Sequence, residues 1–273
     1  MSVGERDLFN KPFEPFFFDV DYIPIPTQDN FETIKKQMRN IVATGEVAAF
    51  IFEPLVQGAS GMRMYTPEQL KDLIKIAQQE GVLTIADEVM TGFGRLGKMF
   101  AMDYLEQYAD TMCFSKGITG GVLPIGITVA TEEIYQAFWD DSRLKAFLHG
   151  HSFTGNPLAC AVVNASFDLF DQQKTWDDIT RITARNKTFL DQFEKYRNII
   201  TRQMGTIAVV EVDEGTTNYF SGIRDKAYLY FLEKGLLIRP LGNVFFINPP
   251  YCTTDEELKQ CYEGILGFLE SEE

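Results

Sequence analysis

The amino-acid sequence predicts an α/β fold in which a mixed, mostly parallel sheet is covered by helices on both faces. Short, almost continuous apolar runs such as VLTIA and TMCF are typical of strands buried on both faces. Segments with helical caps and helical spacing lie between several of these runs, as in parallel sheets joined by crossover helices. The carboxyl ends of such strands are where α/β sheets bind ligands.

The first half of the chain carries most of these signals. A helix at 67–80 is the best marked, because Thr66 stands at its N-cap, Pro67 at its first position, and Gln69 completes a capping box. The other elements predicted here are a helix at about 30–44 and strands in VAAFIFEP, VLTIAD, TMCFS and PIGITVA. Residues 9–26 mix aromatic residues with four prolines, which predicts an extended segment packed against other structure.

The second half predicts a smaller α/β unit. Asn156 is the N-cap of one predicted helix, and Thr254 with Glu257 forms the capping box of the last one. Between them we predict a helix through 179–193, strands in IAVVEV, LLIRP and VFFIN, and a helix at 223–234. We therefore divide the chain into a partial large domain at 1–171 and a small C-terminal domain at 172–273.

Composition and charge exclude several kinds of partner. The 273 residues are 45% hydrophobic, which is enough for one large core or two linked ones. With 25 Lys and Arg against 39 Asp and Glu, the net charge is -14, and no basic cluster is present to bind nucleic-acid phosphates. No apolar run approaches the roughly 18–20 residues that span a bilayer, and no signal-peptide pattern is present, so we expect a soluble, cytoplasmic protein.

The cysteines and histidines predict neither a disulfide framework nor a metal site. The four cysteines are Cys113, Cys160, Cys252 and Cys261. They form no CxxC pair, and the only two histidines lie in HGH at 149–151. The glycine-rich GFGRLG at 92–97 does not follow a strand and open a helix, as a dinucleotide-binding loop does, so we expect a turn there.

Three predicted strands end in charged residues, namely Glu53, Asp87 and Lys116. Charged residues can simply mark where strands reach solvent, and this alternative stays open for each residue taken alone. Three ends aligned at one edge favour a ligand site. An ionised Asp87 is costly to bury without a cationic partner, and desolvation of Lys116 lowers its pKa and leaves a neutral, nucleophilic amine.

Pyridoxal phosphate (PLP) is one ligand that satisfies both residues. Its aldehyde condenses with a lysine, and its ring nitrogen is an effective electron sink only while protonated, a state that a neighbouring carboxylate favours. Each pKa unit of such coupling corresponds to about 1.4 kcal/mol. The strand ends therefore suggest a PLP site as a hypothesis.

Four sequence blocks also resemble a known family. EPLVQGASGMRMY, ADEVMTGFGRLGKMFA, MCFSKGITGG and HGHSFTGNPLACA, in this order, are similar to the class III, fold type I, PLP-dependent aminotransferases. The resemblance extends from about Gly4 to the C-terminus. It implies a fold type I PLP-transferase that assembles as a homodimer.

The resemblance also implies roles for individual residues. Lys116 matches the catalytic lysine that binds the cofactor aldehyde, and Asp87 matches the aspartate paired with the ring nitrogen. The segment that reaches the cofactor phosphate of the neighbouring subunit is matched by Gly150, His151 and Ser152. A phosphate favours clustered donors, which a short hydroxyl and open backbone N–H groups provide.

The resemblance is closest to the branch of the family that acts in biotin synthesis, on GMRMY, HGHSFTGNPLACA and IRPLGNVFFINPPY. It implies S-adenosylmethionine as amino donor, 8-amino-7-oxononanoate as acceptor and 7,8-diaminononanoate as product. Gly150 and Arg239 then match substrate-binding positions, Arg239 receiving a carboxylate; an ordinary arginine at a strand end is the alternative. Two other readings stay open: a class III enzyme for ω-amino acids or diamines, and a non-catalytic fragment.

The sequence also departs from the family pattern. Family members carry a long N-terminal portion ahead of the residues that match MSVG, with a phosphate loop and the aromatic residue that stacks on the cofactor. We therefore expect weak or no activity from this chain alone. Met90 stands where several relatives have a glutamine, so that contact is not carried over. Glu53 and Gln57 either position substituents of the cofactor ring or cap the strand end, and GFGRLG is expected to shape the cofactor pocket.

Overall fold

Helices alternate with short strands in the computed structural model, which describes residues 1–4, 10–213 and 222–272. The helices are α1 (Phe31–Val42), α2 (Pro67–Gln79), α3 (Glu132–Phe138), α4 (Pro157–Phe170), α5 (Gln173–Leu190), α6 (Gly222–Glu233) and α7 (Asp255–Ser271). The strands are β1 (Ala49–Phe52), β2 (Val56–Gln57), β3 (Arg63–Met64), β4 (Leu83–Asp87), β5 (Thr111–Phe114), β6 (Ile127–Ala130), β7 (Ile199–Met204), β8 (Ile207–Val212) and β9 (Val244–Ile247). Short 3-10 helices occupy Lys11–Phe16, Ala101–Tyr104, Lys116–Thr119, Arg143–Lys145 and Asp191–Phe193. Within these ranges, no helix is both long and apolar enough to cross a membrane.

The larger sheet has the strand order β1-β4-β5-β6. Strands β1, β4 and β5 run parallel, and β6 joins β5 antiparallel, which confirms the predicted mixed, mostly parallel sheet. The register pairs Phe52 with Ala86 and Asp87 with Cys113. The carboxyl ends of the three parallel strands therefore meet at one edge.

Helix α2 covers one face of this sheet. Its start is fixed by the predicted capping box, in which the Gln69 N–H donates to the Thr66 hydroxyl and the Thr66 N–H donates to the Gln69 side chain. Leu70 and Ile74 of α2 are fully buried in one apolar core with Ala86 of β4. Helix α1 packs against α2 through a second apolar cluster.

The opposite face of the sheet is open over the described residues, which corrects the expectation that helices cover both faces. Side chains alternate along a strand, so Leu83, Ile85 and Asp87 of β4 share this face, with Ile51 opposite Ile85 and Cys113 opposite Asp87. Ile51 is 37% exposed and Leu83 is 45% exposed. The face that carries Asp87 is thus accessible.

The C-terminal part of the chain forms an antiparallel sheet with the order β7-β8-β9. Its core is rich in aromatic residues, and the ring centroids of Phe231, Phe245 and Phe268 lie 5.4 to 5.9 Å from one another. Aromatic pairs at such distances contribute roughly 0.5–1.5 kcal/mol each beyond their buried area. The three helices predicted for this region are present as α5, α6 and α7.

The predicted strand LLIRP is wrong. Residues 236–240 are irregular, because the Leu236 N–H donates to the Phe231 carbonyl at the end of α6 and Pro240 has no N–H for a ladder. Pairing resumes only with the single bridge of Leu241 to Val244.

The aromatic N-terminal segment also differs from the prediction. Residues 11–16 form a 3-10 helix with Pro12 in its first turn, and the backbone is irregular from there to α1. Phe16 is 82% exposed and Phe18 is 63% exposed, so these rings do not pack against other described residues as expected. The segment is instead tied by Tyr22, whose hydroxyl contacts the Gly4 carbonyl at 2.8 Å.

A loop of the first half and a hairpin of the second half are joined by close contact. The Thr206 N–H, in the β7–β8 turn, donates to the Arg95 carbonyl at 3.0 Å. The Arg95 guanidinium donates to the Thr206 hydroxyl at 2.9 Å and to the Pro249 carbonyl at 2.7 Å. The core around Phe52 also includes Ile207, so a single core crosses the predicted domain boundary, and that boundary stays a prediction.

Gly205→Ala tests the contact between the hairpin and the loop. A Cβ on Gly205 would overlap the Leu96 backbone and lie 2.6 Å from the Arg95 carbonyl oxygen. We expect a loss of about 1–3 kcal/mol in the free energy of unfolding from overpacking, beyond the cost of the left-handed backbone, measured by chemical denaturation. Gly45→Ala is the control, because Gly45 has a similar positive φ of 72° but open space around it. Equal losses in the two variants would contradict the close contact.

Candidate functional site

The candidate site lies at the carboxyl edge of the parallel strands. Glu53 follows β1, Asp87 ends β4, and Lys116 follows β5 by two residues. The strand register brings these three ends to the same edge. The structure therefore brings together the three charged residues that sequence inspection placed at strand ends.

Asp87 is half-buried on the open face of the sheet. Its carboxylate accepts a hydrogen bond from the Val89 N–H at 3.1 Å, which leaves acceptor capacity on the other oxygen. Cys113 lies opposite on β5, and the pKa of its thiol is raised by burial and by the negative charge of Asp87. Asp87 thus acts electrostatically on the neighbouring strand.

Lys116 has a left-handed backbone, with φ of 47°, and opens the 3-10 turn Lys116–Thr119. For a residue other than glycine this conformation costs on the order of 1–3 kcal/mol and persists where neighbours fix it. The Ser115 hydroxyl donates to the Ile125 carbonyl at 2.7 Å, and the Thr119 hydroxyl donates to the Leu123 carbonyl at 2.7 Å. Lys116 is exposed in the part of the chain that the structure describes. The prediction that its amine is desolvated is therefore wrong for that part.

Glu53 reports that the three strand ends share one electrostatic environment. Its pKa is raised, chiefly by burial and also by the negative charge of Asp87. A hydrogen bond from the Gly58 N–H and the positive charge of Lys116 oppose this shift. The Gly58 N–H lies 2.9 Å from the Glu53 carboxylate, so Glu53 closes the loop that follows β1. This contact is the local role anticipated for a strand-end cap. Gln57 lies in β2 and pairs with Arg63.

Sequence inspection missed the role of Glu88. It is fully buried, and its carboxylate accepts hydrogen bonds from the N–H groups of Ala101 and Met102 and from the Thr91 hydroxyl, at 2.8 to 3.0 Å. Burial raises its pKa, and these hydrogen bonds oppose that shift. Strand alternation was the available signal, because the residue after Asp87 must point to the covered face.

The GFGRLG loop is a turn, as expected. The Gly94 N–H donates to the Met99 carbonyl at 3.2 Å, and the Gly97 N–H donates to the Gly94 carbonyl at 3.0 Å. Phe93 is 3% exposed and has a left-handed φ of 57°. Its Cβ lies 3.1 Å from where a Cβ on Gly117 would stand, so the loop supports the turn that carries Lys116.

Gly150, His151 and Ser152 lie in an exposed loop before α4. The His151 N–H donates to the Thr154 hydroxyl at 2.9 Å, and the Phe153 N–H donates to the His151 ring at 3.1 Å. These bonds join the loop to itself. Within the described ranges, no hydrogen bond or ion pair joins it to the strand-end residues.

Arg239 also stands apart from the strand ends. It is exposed in the irregular segment between α6 and β9 and lines a cavity of about 310 Å³ with Arg224, Tyr228 and Pro240. Two guanidinium groups around one cavity make it suited to a carboxylate. In the part of the chain that the structure describes, no group of three His, Cys, Asp or Glu side chains could hold a metal ion.

The chain is similar in sequence to known aminotransferases that share one name. The chain is 42% identical over 279 residues to adenosylmethionine-8-amino-7-oxononanoate aminotransferase of Synechococcus elongatus, covering 99% of this chain and 65% of that protein. It is 34% identical over 279 residues to the protein of the same name from Helicobacter pylori, covering 99% of this chain and 63% of that protein. The chain therefore spans less than two thirds of the length of these relatives.

A solved structure and a family model agree with these similarities. The crystal structure of adenosylmethionine-8-amino-7-oxononanoate aminotransferase from Methanocaldococcus jannaschii matches with a TM-score of 0.85 at 30% identity, over 98% of this chain and 64% of that chain. The fold is accordingly that of part of a fold type I PLP aminotransferase. The family model described as aminotransferase class-III matches residues 1–269, and the chain belongs to the class III aminotransferases.

Proposed function

We propose that the protein of which this chain forms the matched part is a PLP-dependent aminotransferase of biotin synthesis. It transfers the amino group of S-adenosylmethionine to 8-amino-7-oxononanoate and gives 7,8-diaminononanoate. The observation that carries the proposal is the placement of Asp87 and Lys116 at the carboxyl ends of adjacent parallel strands. A cytoplasmic location would suit a biosynthetic enzyme of this kind.

The residues at the strand edge fit PLP. Lys116 offers an exposed amine for the cofactor aldehyde, and Asp87 offers a half-buried carboxylate for the ring nitrogen. The register of β4 and β5 places Asp87 opposite Cys113, three residues before Lys116. Class III aminotransferases use PLP, which supports the same cofactor for this chain.

The names of the relatives support the choice of substrates. The relatives from Synechococcus elongatus and Helicobacter pylori are both named for adenosylmethionine and 8-amino-7-oxononanoate. Solved ω-transaminases also share the fold, and one of them is 27% identical to the chain, which is lower than the identity of the two relatives. The biotin-pathway reaction is therefore favoured over one with ω-amino acids or diamines.

Each strand-end residue then has a distinct task. When bound, PLP supplies an aldehyde that condenses with amines and a ring that withdraws electrons from the substrate carbon. The Asp87 carboxylate holds the proton on the ring nitrogen through a charge-assisted hydrogen bond. With the cofactor bound, the Lys116 amine would take the proton from the substrate carbon and, once protonated, would act as the acid that gives the proton back. Positioned acid–base catalysis of this kind is typically worth about 10²- to 10⁴-fold.

The residues outside the strand edge bind the rest of the reactants. Arg239 receives the carboxylate of a substrate, in agreement with the cavity that it lines. Gly150, His151 and Ser152 offer N–H groups and a hydroxyl to the cofactor phosphate of a second subunit. Their exposed loop is compatible with a contact across a subunit interface.

Lys116→Ala tests the cofactor assignment. After incubation with PLP and reduction with borohydride, the wild-type chain should carry a pyridoxyl group on Lys116, identified by peptide mass spectrometry. The variant should lose this label, because Lys116 is the lysine that follows β5 at the strand edge. Lys71→Ala is the control, since Lys71 is exposed on α2 and should leave the label unchanged. Labelling of wild type at surface lysines alone would contradict the assignment.

The donor specificity is tested with the PLP-loaded chain in a single half-reaction. S-adenosylmethionine should convert the bound cofactor to its amine form faster than 4-aminobutyrate or 1,4-diaminobutane, as followed by absorbance. Asp87→Asn should slow the conversion by any donor, because the neutral amide no longer favours the protonated ring. Conversion by the ω-amines with none by S-adenosylmethionine would overturn the substrate assignment and keep the reaction class.

We also propose that the protein forms a homodimer through the region of residues 132–153. Several large apolar side chains there are strongly exposed, including Leu144 at 93% and Leu148 at 87%. The Phe138 and Phe147 rings of this region contact each other, with centroids 5.2 Å apart, and large exposed apolar patches mark interaction sites in soluble proteins. The segment that matches the phosphate-binding loop of the neighbouring subunit lies at its end.

Leu148→Asp tests this interface. A buried charge at a central apolar contact should weaken self-association by tenfold or more, about 1.4 kcal/mol, as measured by sedimentation velocity across a concentration series. Leu237→Asp is the control, because Leu237 is 82% exposed but lies outside the proposed interface. A monomeric wild-type chain, or equal effects of the two substitutions, would contradict the proposed interface.

A further inference from the structure

We propose that Tyr251 is a positioning residue that fixes the turn of Lys116 through Phe93 and Gly117. The inference rests on the proposed role of Lys116 as the cofactor-binding lysine. Tyr251 follows β9 and is 135 positions away from Lys116 in the sequence, so no local motif links them.

The first contact joins Tyr251 to the 92–97 loop. The Tyr251 hydroxyl donates to the Phe93 carbonyl at 2.6 Å. The tyrosine ring is itself held, because the Arg95 guanidinium lies 4.8 Å from its centroid and the Phe170 ring packs against it edge to face at 6.3 Å. The hydroxyl therefore stands at a fixed place beneath the loop.

The hydrogen bond acts on a strained residue. Phe93 is buried with a left-handed φ of 57°, a conformation that persists only where neighbours determine it. Burial raises the pKa of the Tyr251 phenol, which keeps it a donor at neutral pH. A lost donor at this carbonyl would leave a partly buried acceptor unpaired and remove one restraint on Phe93.

The second contact joins Phe93 to the turn of the lysine. The Cβ of Phe93 lies 3.1 Å from where a Cβ on Gly117 would stand, so the turn fits against this side chain without spare room. Rings around Phe93 prevent it from retreating; their centroids lie 5.7 to 6.2 Å away, at Phe100, Phe114, Phe167 and Phe170. A shift of Phe93 therefore displaces Gly117 and, with it, the left-handed backbone of Lys116.

Tyr251→Phe tests the proposal because it removes only the hydroxyl. The borohydride-trapped PLP label on Lys116 should form about 10- to 100-fold more slowly, as expected for a reacting amine displaced by up to about 1 Å. Amide hydrogen exchange gives a readout that needs no cofactor. The Ile118 N–H donates to the Ser115 carbonyl at 3.2 Å within the turn, and it should lose protection in the variant.

Tyr104→Phe is the matched control. The Tyr104 hydroxyl donates to the Leu96 carbonyl of the same loop at 2.6 Å, and its ring also lies next to a cation, Lys98, at 4.5 Å. Tyr104→Phe therefore removes an equivalent hydrogen bond from the loop without changing a contact of Phe93. This variant should keep the labelling rate of Lys116 and the protection of Ile118.

A second variant approaches the same contact from the other side. Gly117→Ala presses a Cβ on Phe93 and should slow labelling as Tyr251→Phe does, and the double variant should be less than additive, because both act through one contact. Unchanged labelling and unchanged Ile118 exchange in Tyr251→Phe, or equal effects of Tyr104→Phe, would overturn the inference. Labelling of the wild type at Lys116 would still uphold the cofactor assignment in that case. Absence of wild-type labelling with faster Ile118 exchange in Tyr251→Phe would instead uphold the coupling and refute the cofactor assignment.

Discussion

The parallel register of β4 and β5 is the constraint on which the rest of the structure depends. It places Asp87 opposite Cys113 and so brings Asp87 to the edge where the chain leaves β5 toward Lys116. A slip of one residue would turn Asp87 toward the covered face and send Glu88 to the open one. Glu88 resists such a slip, because its buried carboxylate is satisfied only by the N–H groups of Ala101 and Met102 and the Thr91 hydroxyl in the present register.

The two neighbouring carboxylates after β4 thus do different work because they face opposite sides of one sheet. Asp87 keeps an accessible oxygen on the open face. The oxygens of Glu88 instead accept hydrogen bonds from the loop that runs beneath the turn of Lys116. The position of the amine follows from this division. A loop anchored by Glu88 carries Phe93, and Phe93 supports Gly117.

Local signals in the sequence were sufficient for much of the fold. Thr66 with Gln69 and Thr254 with Glu257 form the predicted capping boxes, since caps depend on a few adjacent residues. The strand-end residues were recognisable because apolar runs stop there. The wrong predictions concern long-range packing. LLIRP has strand-like composition, but the hydrogen bond that ends α6 and the missing N–H of Pro240 exclude it from the sheet. The exposure of Lys116 and the bond of Tyr251 to Phe93 likewise depend on distant segments that no local pattern reports.

The contact of the β7–β8 turn with the Arg95 carbonyl has a further consequence for motion. Thr206 donates two hydrogen bonds to that carbonyl, from its N–H at 3.0 Å and from its hydroxyl at 3.1 Å. The neighbouring Gly205 packs against the backbone of Leu96. Arg202 of β7 also donates to the Gly61 and Met62 carbonyls, at 2.8 and 3.2 Å, so relative sliding of the two sheets would break hydrogen bonds at two separate places. Arg239, in the irregular segment between α6 and β9, is therefore attached to a sheet that cannot slide past the strand edge without breaking these bonds.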